Sequence, residues 1–172
     1  MVLGPPNSGK TTSSYIAARL GLEFLADQAV FLELVAGKLL AWGDFLPAAF
    51  RLQALQFLPE LKALTRPFRY RDLTFFYLEK KGFQSAQAHP VIPVACVFLE
   101  MHRGQVPHLA PLSRVEFRRR LTESQPFKDD QRFEGQRTTV LRGLGELPAY
   151  RLAHSGDPGA AAALYRSVLN ES

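Results

Sequence analysis

Cysteine is nearly absent: Cys96 is the only one in 172 residues. A single thiol cannot form an internal disulfide, so a disulfide-stapled scaffold is excluded, and a cysteine-based structural zinc site with it. Cys96 lies in the apolar run from Val91 to Leu99 and reads as a buried structural thiol. A reducing cytoplasm is its natural compartment. No stretch reaches the roughly 18 consecutive apolar residues of a membrane span, and no membrane partner is expected. The N-terminus opens into Gly4-Pro5-Pro6-Asn7 and lacks the basic-then-apolar order of a signal peptide. His89, His102, His108 and His154 are isolated from one another, and no GxSxG elbow supports a serine triad. Internal repeats are missing, and the only biased run is Ala160 to Ala163.

What remains is ordinary for a globular protein, with 47% hydrophobic and 22% charged residues. A chain of this length reads as one domain over 1–172, large enough to bury a core unaided. The net charge of +5 comes from clustered arginine. Arg66, Arg69 and Arg71 form one group, and Arg114, Arg118, Arg119 and Arg120 another. The second suits a solvated helix face, and the first suits phosphate or acidic-partner contacts. Aromatics interleave with arginine at base-binding spacing only around Phe68-Arg69-Tyr70, which weighs against nucleic acid.

The most specific pattern is Gly4-Pro5-Pro6-Asn7-Ser8-Gly9-Lys10-Thr11, which fits GxxxxGK[ST] at every fixed position. A chance match in a chain this long is on the order of one in a hundred, given ordinary glycine usage. Glycines let successive N–H groups curl toward a phosphate, Lys10 offers a mobile charge to the outer phosphates, and the Thr11 hydroxyl can ligate Mg²⁺. The helix that follows, with Thr12 in its first turn, adds the positive end of its dipole. Nucleotide binding by residues 4–12 is therefore the leading expectation. Such a loop normally follows a buried strand, yet only Met1, Val2 and Leu3 precede Gly4. Most of that strand is expected to lie upstream of this sequence.

Along the chain, helical periodicity covers Lys10 to Leu20, with Ile16, Ala17 and Leu20 as its apolar face and Gly21 to stop it. Leu22 to Ala26 reads as a short strand ending at Asp27. Ala29 to Leu34, a turn at Ala36-Gly37, and Lys38 to Trp42 form a β-hairpin. Ala48 to Phe57 reads as helix and Lys62 to Pro67 as a polar connection. Asp72 to Lys81 suits a helix or, through Thr74-Phe75-Phe76-Tyr77, a strand. Strands are expected at Val94 to Glu100 and Ala149 to Ala153, with an extended piece at His108 to Leu112 and a turn at Arg103-Gly104. Helices are expected at Ser113 to Leu121, with Ser113 and Glu116 as a capping box, at Thr138 to Leu144, and at Pro158 to Leu169. Ser124 to Gln136 reads as a mobile polar loop.

Phosphoryl transfer to a hydroxyl needs a carboxylate that can orient or deprotonate the acceptor. Asp27 is the best placed, just after the helix that follows the loop; alone, it would read as a turn-capping aspartate. Asp44 in Trp42-Gly43-Asp44 is a weaker candidate, and Asp129 and Asp130 form an acidic pair in the polar loop.

These features resemble the P-loop kinases of the HPr serine kinase family, which share a nucleotide-binding core with phosphoenolpyruvate carboxykinases. The matching residues are Gly4 to Thr12, Arg19-Leu20-Gly21, and Phe24-Leu25-Ala26-Asp27-Gln28 followed by the hairpin. Phe45-Leu46-Pro47 with Arg51, then Leu147 to Leu152 and Asp157-Pro158, also match. The resemblance implies an α/β fold: a P-loop core with a mixed sheet, a β-hairpin after the first helix and flanking helices. It implies ATP and Mg²⁺ as cofactors, Lys10 on the phosphates, Thr11 and Asp27 on the metal, and Asp27 as base. The acceptor would be a hydroxyl of a protein, peptide or small molecule. Oligomeric relatives suggest self-association through the hairpin and the aromatic segment Phe68 to Phe76. Two features depart from the family: Gln28 stands where a second aspartate is usual, and the upstream histidine of HPr kinases has no counterpart. The glycine-rich C-terminal signature of the bifunctional enzymes is also missing, which argues against HPr itself as the acceptor. A nucleotide-binding module without turnover is the alternative. A small-metabolite kinase ranks below it, because a hairpin follows the first helix where that class has a βα series.

Overall fold

The computed structural model describes residues 1–44, 46–83, 89–102, 104, 106–124 and 134–170. The chain opens with β1 (Val2–Leu3), the loop, and α1 (Lys10–Arg19). The hairpin β2 (Val30–Val35) and β3 (Lys38–Gly43) follows, then β4 (Ala48–Arg51) and two single helical turns, α2 (Ala54–Phe57) and α3 (Leu61–Leu64). Next come β5 (Arg66–Tyr70), β6 (Leu73–Leu78), β7 (Cys96–Met101), β8 (His108–Pro111) and α4 (Arg114–Glu123). The chain closes with α5 (Glu134–Leu144), β9 (Ala149–His154) and α6 (Pro158–Asn170).

This is a mixed α/β architecture. β1, β7 and β9 run parallel and side by side, with β8 antiparallel on the β9 edge. Residues 96–99 of β7 are all buried, as a central strand covered on both faces requires. Toward one face α1 and α6 enclose Val97, Leu99, Leu152, Ala161, Ala162, Tyr165 and Val168. Toward the other, α4 and α5 close over Cys96, Phe98, Phe117, Leu121 and Leu144, with Leu39 of the hairpin reaching into the same cluster. A third cluster joins α1 to the antiparallel sheet β4-β6-β5 through Tyr15, Phe24, Phe50, Leu78 and Phe83. Tyr15 meets Phe50 and Phe83 edge-on, both at 5.5 Å between ring centres, and Phe24 stacks on Phe83 at 3.8 Å. Each such ring contributes on the order of 1.5–3 kcal/mol by leaving water.

The expected hairpin, the β7 and β9 strands, the capped α4 and the C-terminal helix are all present, and Ser113 accepts the Glu116 N–H at 3.2 Å. The segment from residue 73 to 78 is strand. Four expectations are corrected. Leu22 to Ala26 forms no strand beyond one bridge at Phe24, whose ring is drawn into the core against Phe83. The first part of Ala48 to Phe57 is strand, because Ala48 and Phe50 alternate into the core while the backbone pairs with Leu78 and Phe76 of β6. Lys62 to Pro67 holds α3 and the start of β5. Leu20 is also exposed, and the buried side of α1 is Ser13, Tyr15, Ala17 and Ala18. Phe45, Arg103, and the part of the expected polar loop spanning 125–133 lie outside the described residues.

Candidate phosphate-binding site

The loop between β1 and α1 turns at three left-handed residues. Gly4 has φ 147°, Asn7 φ 64°, and Gly9, which caps the helix, φ 88°. Gly4 is required twice over. A Cβ there would lie 2.5 Å from the Leu99 carbonyl oxygen and 2.9 Å from Ser8 Oγ. The short β1 strand sets this closeness by pairing Leu3 with Phe98 in the central strand. Pro5, Pro6 and Asn7 stand exposed, while Ser8 is buried, and its hydroxyl has no hydrogen-bond partner among the described residues.

Lys10 leaves the first turn of α1 and folds over the loop. Its Nζ donates to the Gly4 carbonyl at 2.8 Å and the Pro5 carbonyl at 2.7 Å. Burial lowers its pKa, and the nearby Asp27 carboxylate works in the opposite sense. Thr11, the next residue, lies near enough to Asp27 for its hydroxyl to favour the charged carboxylate. Thr12 lies half-buried beside it in the same turn.

Asp27 arrives on irregular backbone. Its Oδ2 accepts the Ala49 N–H of β4 at 3.1 Å and the Gln28 side-chain amide at 3.0 Å. Burial raises the Asp27 pKa above 3.8, and the neighbouring Asp44 adds to the rise. The Thr11 hydroxyl, the Ala49 N–H and the charge of Lys10 oppose it. Asp44 closes the hairpin: it is 6% exposed, and its Oδ2 accepts the Ala29 N–H at 2.8 Å. Its Oδ1 is buried without a partner among the described residues. Lys10, Thr11 and Asp27, separated by 17 positions at most, are thus brought together.

No family model, curated protein or solved structure matches this chain.

One residue of the site carries no sequence signal. His154 ends β9, is 1% exposed, and sets its Nε2 2.9 Å from the Ser8 carbonyl oxygen. The Gly156 N–H donates to its Nδ1 at 3.2 Å. The two contacts together require the tautomer with the proton on Nε2. Its Cε1 would lie 3.4 Å from a Cβ at Gly9, so the ring is the wall behind the loop's second glycine.

Asp129 and Asp130 lie outside the described residues. Among those described, no group of three or more His, Cys, Asp or Glu could hold a metal ion, and no helix is long and apolar enough to cross a membrane. The arginines of α4 are matched by acids. Arg119 bonds Glu116 and Glu123, Arg120 bonds Glu116 and Glu100, and Arg114 and Arg118 meet Glu146. Arg119, then Arg120, hold the Glu116 carboxyl down at about 2.

Proposed function

We propose that this chain is an ATP-binding P-loop protein that transfers the ATP phosphoryl group to a hydroxyl, as its resemblance to HPr serine kinases implies. The observation that carries the reading is the Lys10 ammonium at the start of α1, resting on the Gly4 and Pro5 carbonyls at 2.8 and 2.7 Å. That placement sets the loop's cation near a carboxylate, Asp27, on which Lys10 and the Thr11 hydroxyl both act.

The residues fit the group. Two left-handed glycines turn the backbone of the loop, and the buried Ser8 hydroxyl has bonding capacity to spare. The Lys10 ammonium rests on two loop carbonyls that it can exchange for phosphate oxygens. Bound ATP–Mg²⁺ supplies the transferable phosphoryl group and neutralises charge on it. The loop N–H groups of residues 4–12 and the α1 N-terminus would hold the phosphates, and Thr11 with Asp27 would hold the metal. Asp27 would orient the acceptor hydroxyl and take its proton, and its raised pKa suits it to receive one. Most of the rate gain would come from positioning and fixed charge.

The second reading is a nucleotide-binding module without turnover. It is favoured by Gln28, whose amide occupies the Asp27 oxygen at 3.0 Å where the family has a second acid. Thermal melting with ATP–Mg²⁺, run beside a phosphate-transfer assay, separates the two. Stabilisation with transfer that is lost in Lys10→Ala supports the kinase. Stabilisation without transfer selects the binding module, and no stabilisation sinks both.

A further inference from the structure

The antiparallel sheet β4-β6-β5 buries only one of its faces. Ala48, Phe50, Phe76 and Leu78 point inward to the core shared with α1. By strict alternation the opposite face carries Phe75 and Tyr77 from β6, Phe68 and Tyr70 from β5, with Arg51 and Arg66 beside them. Cross-strand register puts Phe68 opposite Phe75 and Arg66 opposite Tyr77. Phe68 and Tyr70 are 46% and 54% exposed. Four aromatic rings on one open sheet face exceed what a solvated face needs.

The face is also basic: its register positions carry Arg51 and Arg66 and no acid, with Arg71 in the turn between β5 and β6. The guanidinium of Arg51 lies over the Phe75 ring at 4.5 Å, and that of Arg71 over Tyr70 at 5.3 Å. Phe68 and Phe75 each stack with Tyr77, at 5.3 and 6.4 Å. The ring faces are therefore largely taken by one another and by arginine, which leaves apolar edges and the outward N–H forks of the guanidinium groups. Free ring faces are what unpaired bases need. Apolar edges beside guanidinium forks suit carboxylate and side-chain contacts of a polypeptide. Pro67 lies on the outer strand β5 and lacks the N–H to extend the sheet, so the face rather than its edge is offered.

The face adjoins the candidate site. Ala49, the β4 residue in register with Tyr77, is the one whose N–H binds Asp27. We propose that this face docks an acidic polypeptide segment bearing aromatic or aliphatic anchors, and that this segment is the phosphoryl acceptor. The acceptor role rests on the kinase reading above; the affinity for acidic polypeptide does not.

The test is fluorescence anisotropy of the full chain with three labelled probes. They are a short peptide of alternating glutamate, tyrosine and serine, the same peptide with lysine for glutamate, and oligouridine of equal length. The acidic peptide is expected to bind at least about tenfold more tightly than the other two. The double variant Arg51→Glu, Arg66→Glu should abolish that preference, whereas Lys38→Glu in the hairpin should keep it; thermal melting checks that each remains folded. Equal binding of both peptides, tighter binding of oligouridine, or a preference unmoved by charge reversal overturns the proposal. A dimer in sedimentation that Phe68→Asp dissociates assigns the face to a second copy and also overturns it. Acidic-peptide binding without phosphate transfer to the peptide leaves the docking face standing and overturns the acceptor role.

Discussion

The Nε2 of His154 lies 2.9 Å from the carbonyl oxygen of Ser8, tying the last strand of the parallel sheet to the middle of the glycine loop across 146 residues. Both groups are buried, so neither can turn to water if the other is lost. The loop's curvature therefore depends on a residue far from it in sequence.

His154→Phe keeps the ring volume and removes both hydrogen bonds. Stranding the Ser8 carbonyl and the Gly156 N–H is expected to cost about 1–3 kcal/mol for each group that stays buried. Stabilisation by ATP–Mg²⁺ should fall with it, while His154→Gln, which can still donate to Ser8, should retain part of the effect. Thermal melts of both variants with and without nucleotide check this, and an unaltered nucleotide shift in His154→Phe would refute the buttress role.

Gly4→Ala places a Cβ against the Leu99 backbone carbonyl at a φ of 147°. Backbone on one side and the short β1 strand on the other leave little room to relax. A loss of about 2–3 kcal/mol in urea unfolding is expected, together with loss of nucleotide binding.

Asp27→Asn tests a pH dependence. The native pKa of Asp27 is raised, chiefly by burial, above its ordinary 3.8. The folded state therefore holds the proton more tightly than the unfolded one. Stability conferred by that proton is present below 3.8 and is lost as pH rises through the raised native value. The asparagine variant should then melt higher than the parent at neutral pH, with the gap closing as pH falls toward 3.8. Under the kinase reading its transfer rate drops by about 10²–10⁴-fold.

Tyr165→Phe probes the clamp between α6 and α1. The Tyr165 hydroxyl lies 2.7 Å from Ser13 Oγ, and burial pushes its pKa up to about 12. Ser13 keeps the Gly9 and Lys10 carbonyls, at 2.9 and 3.1 Å, to donate to. A modest loss of about 1 kcal/mol is expected, or roughly 2–4 °C in Tm for a domain of this size. The parent should also lose stability as pH rises from 10.0 toward 12, since the folded state keeps the phenolic proton longer. The variant should lose less across that interval in alkaline melts.

Local signals carried the elements whose pattern is self-sufficient. The Ala36-Gly37 turn takes φ of 49° and 78°, both positive as a two-residue turn between paired strands requires, with Gly37 suited to it. Ser113 caps α4 through its own hydroxyl, and the glycine loop meets α1 where its motif requires. Leu22 to Ala26 was misread because its apolar run looks the same whether backbone pairing or side-chain burial holds it. Phe24 answers to Phe83, which lies 59 positions away. Ala48 to Arg51 was misread as helix because β-pairing depends on a partner strand, and β6 lies beyond two helical turns.

By itself the amino-acid order determined the glycine loop, the hairpin and the main parallel strands, and it named Lys10, Thr11 and Asp27 as the chemistry to look for. The loop, hairpin and strands depend on residues within a few positions of one another, whose φ preferences and hydrogen-bonding groups act locally. Only the tertiary structure decided that Asp27 hangs from the Ala49 amide rather than from a strand end, that His154 backs the loop, and that the aromatic rings of β5 and β6 share one open face with Arg51. Each is a contact between distant segments, set by which surfaces the cores bury together, and no local preference encodes it.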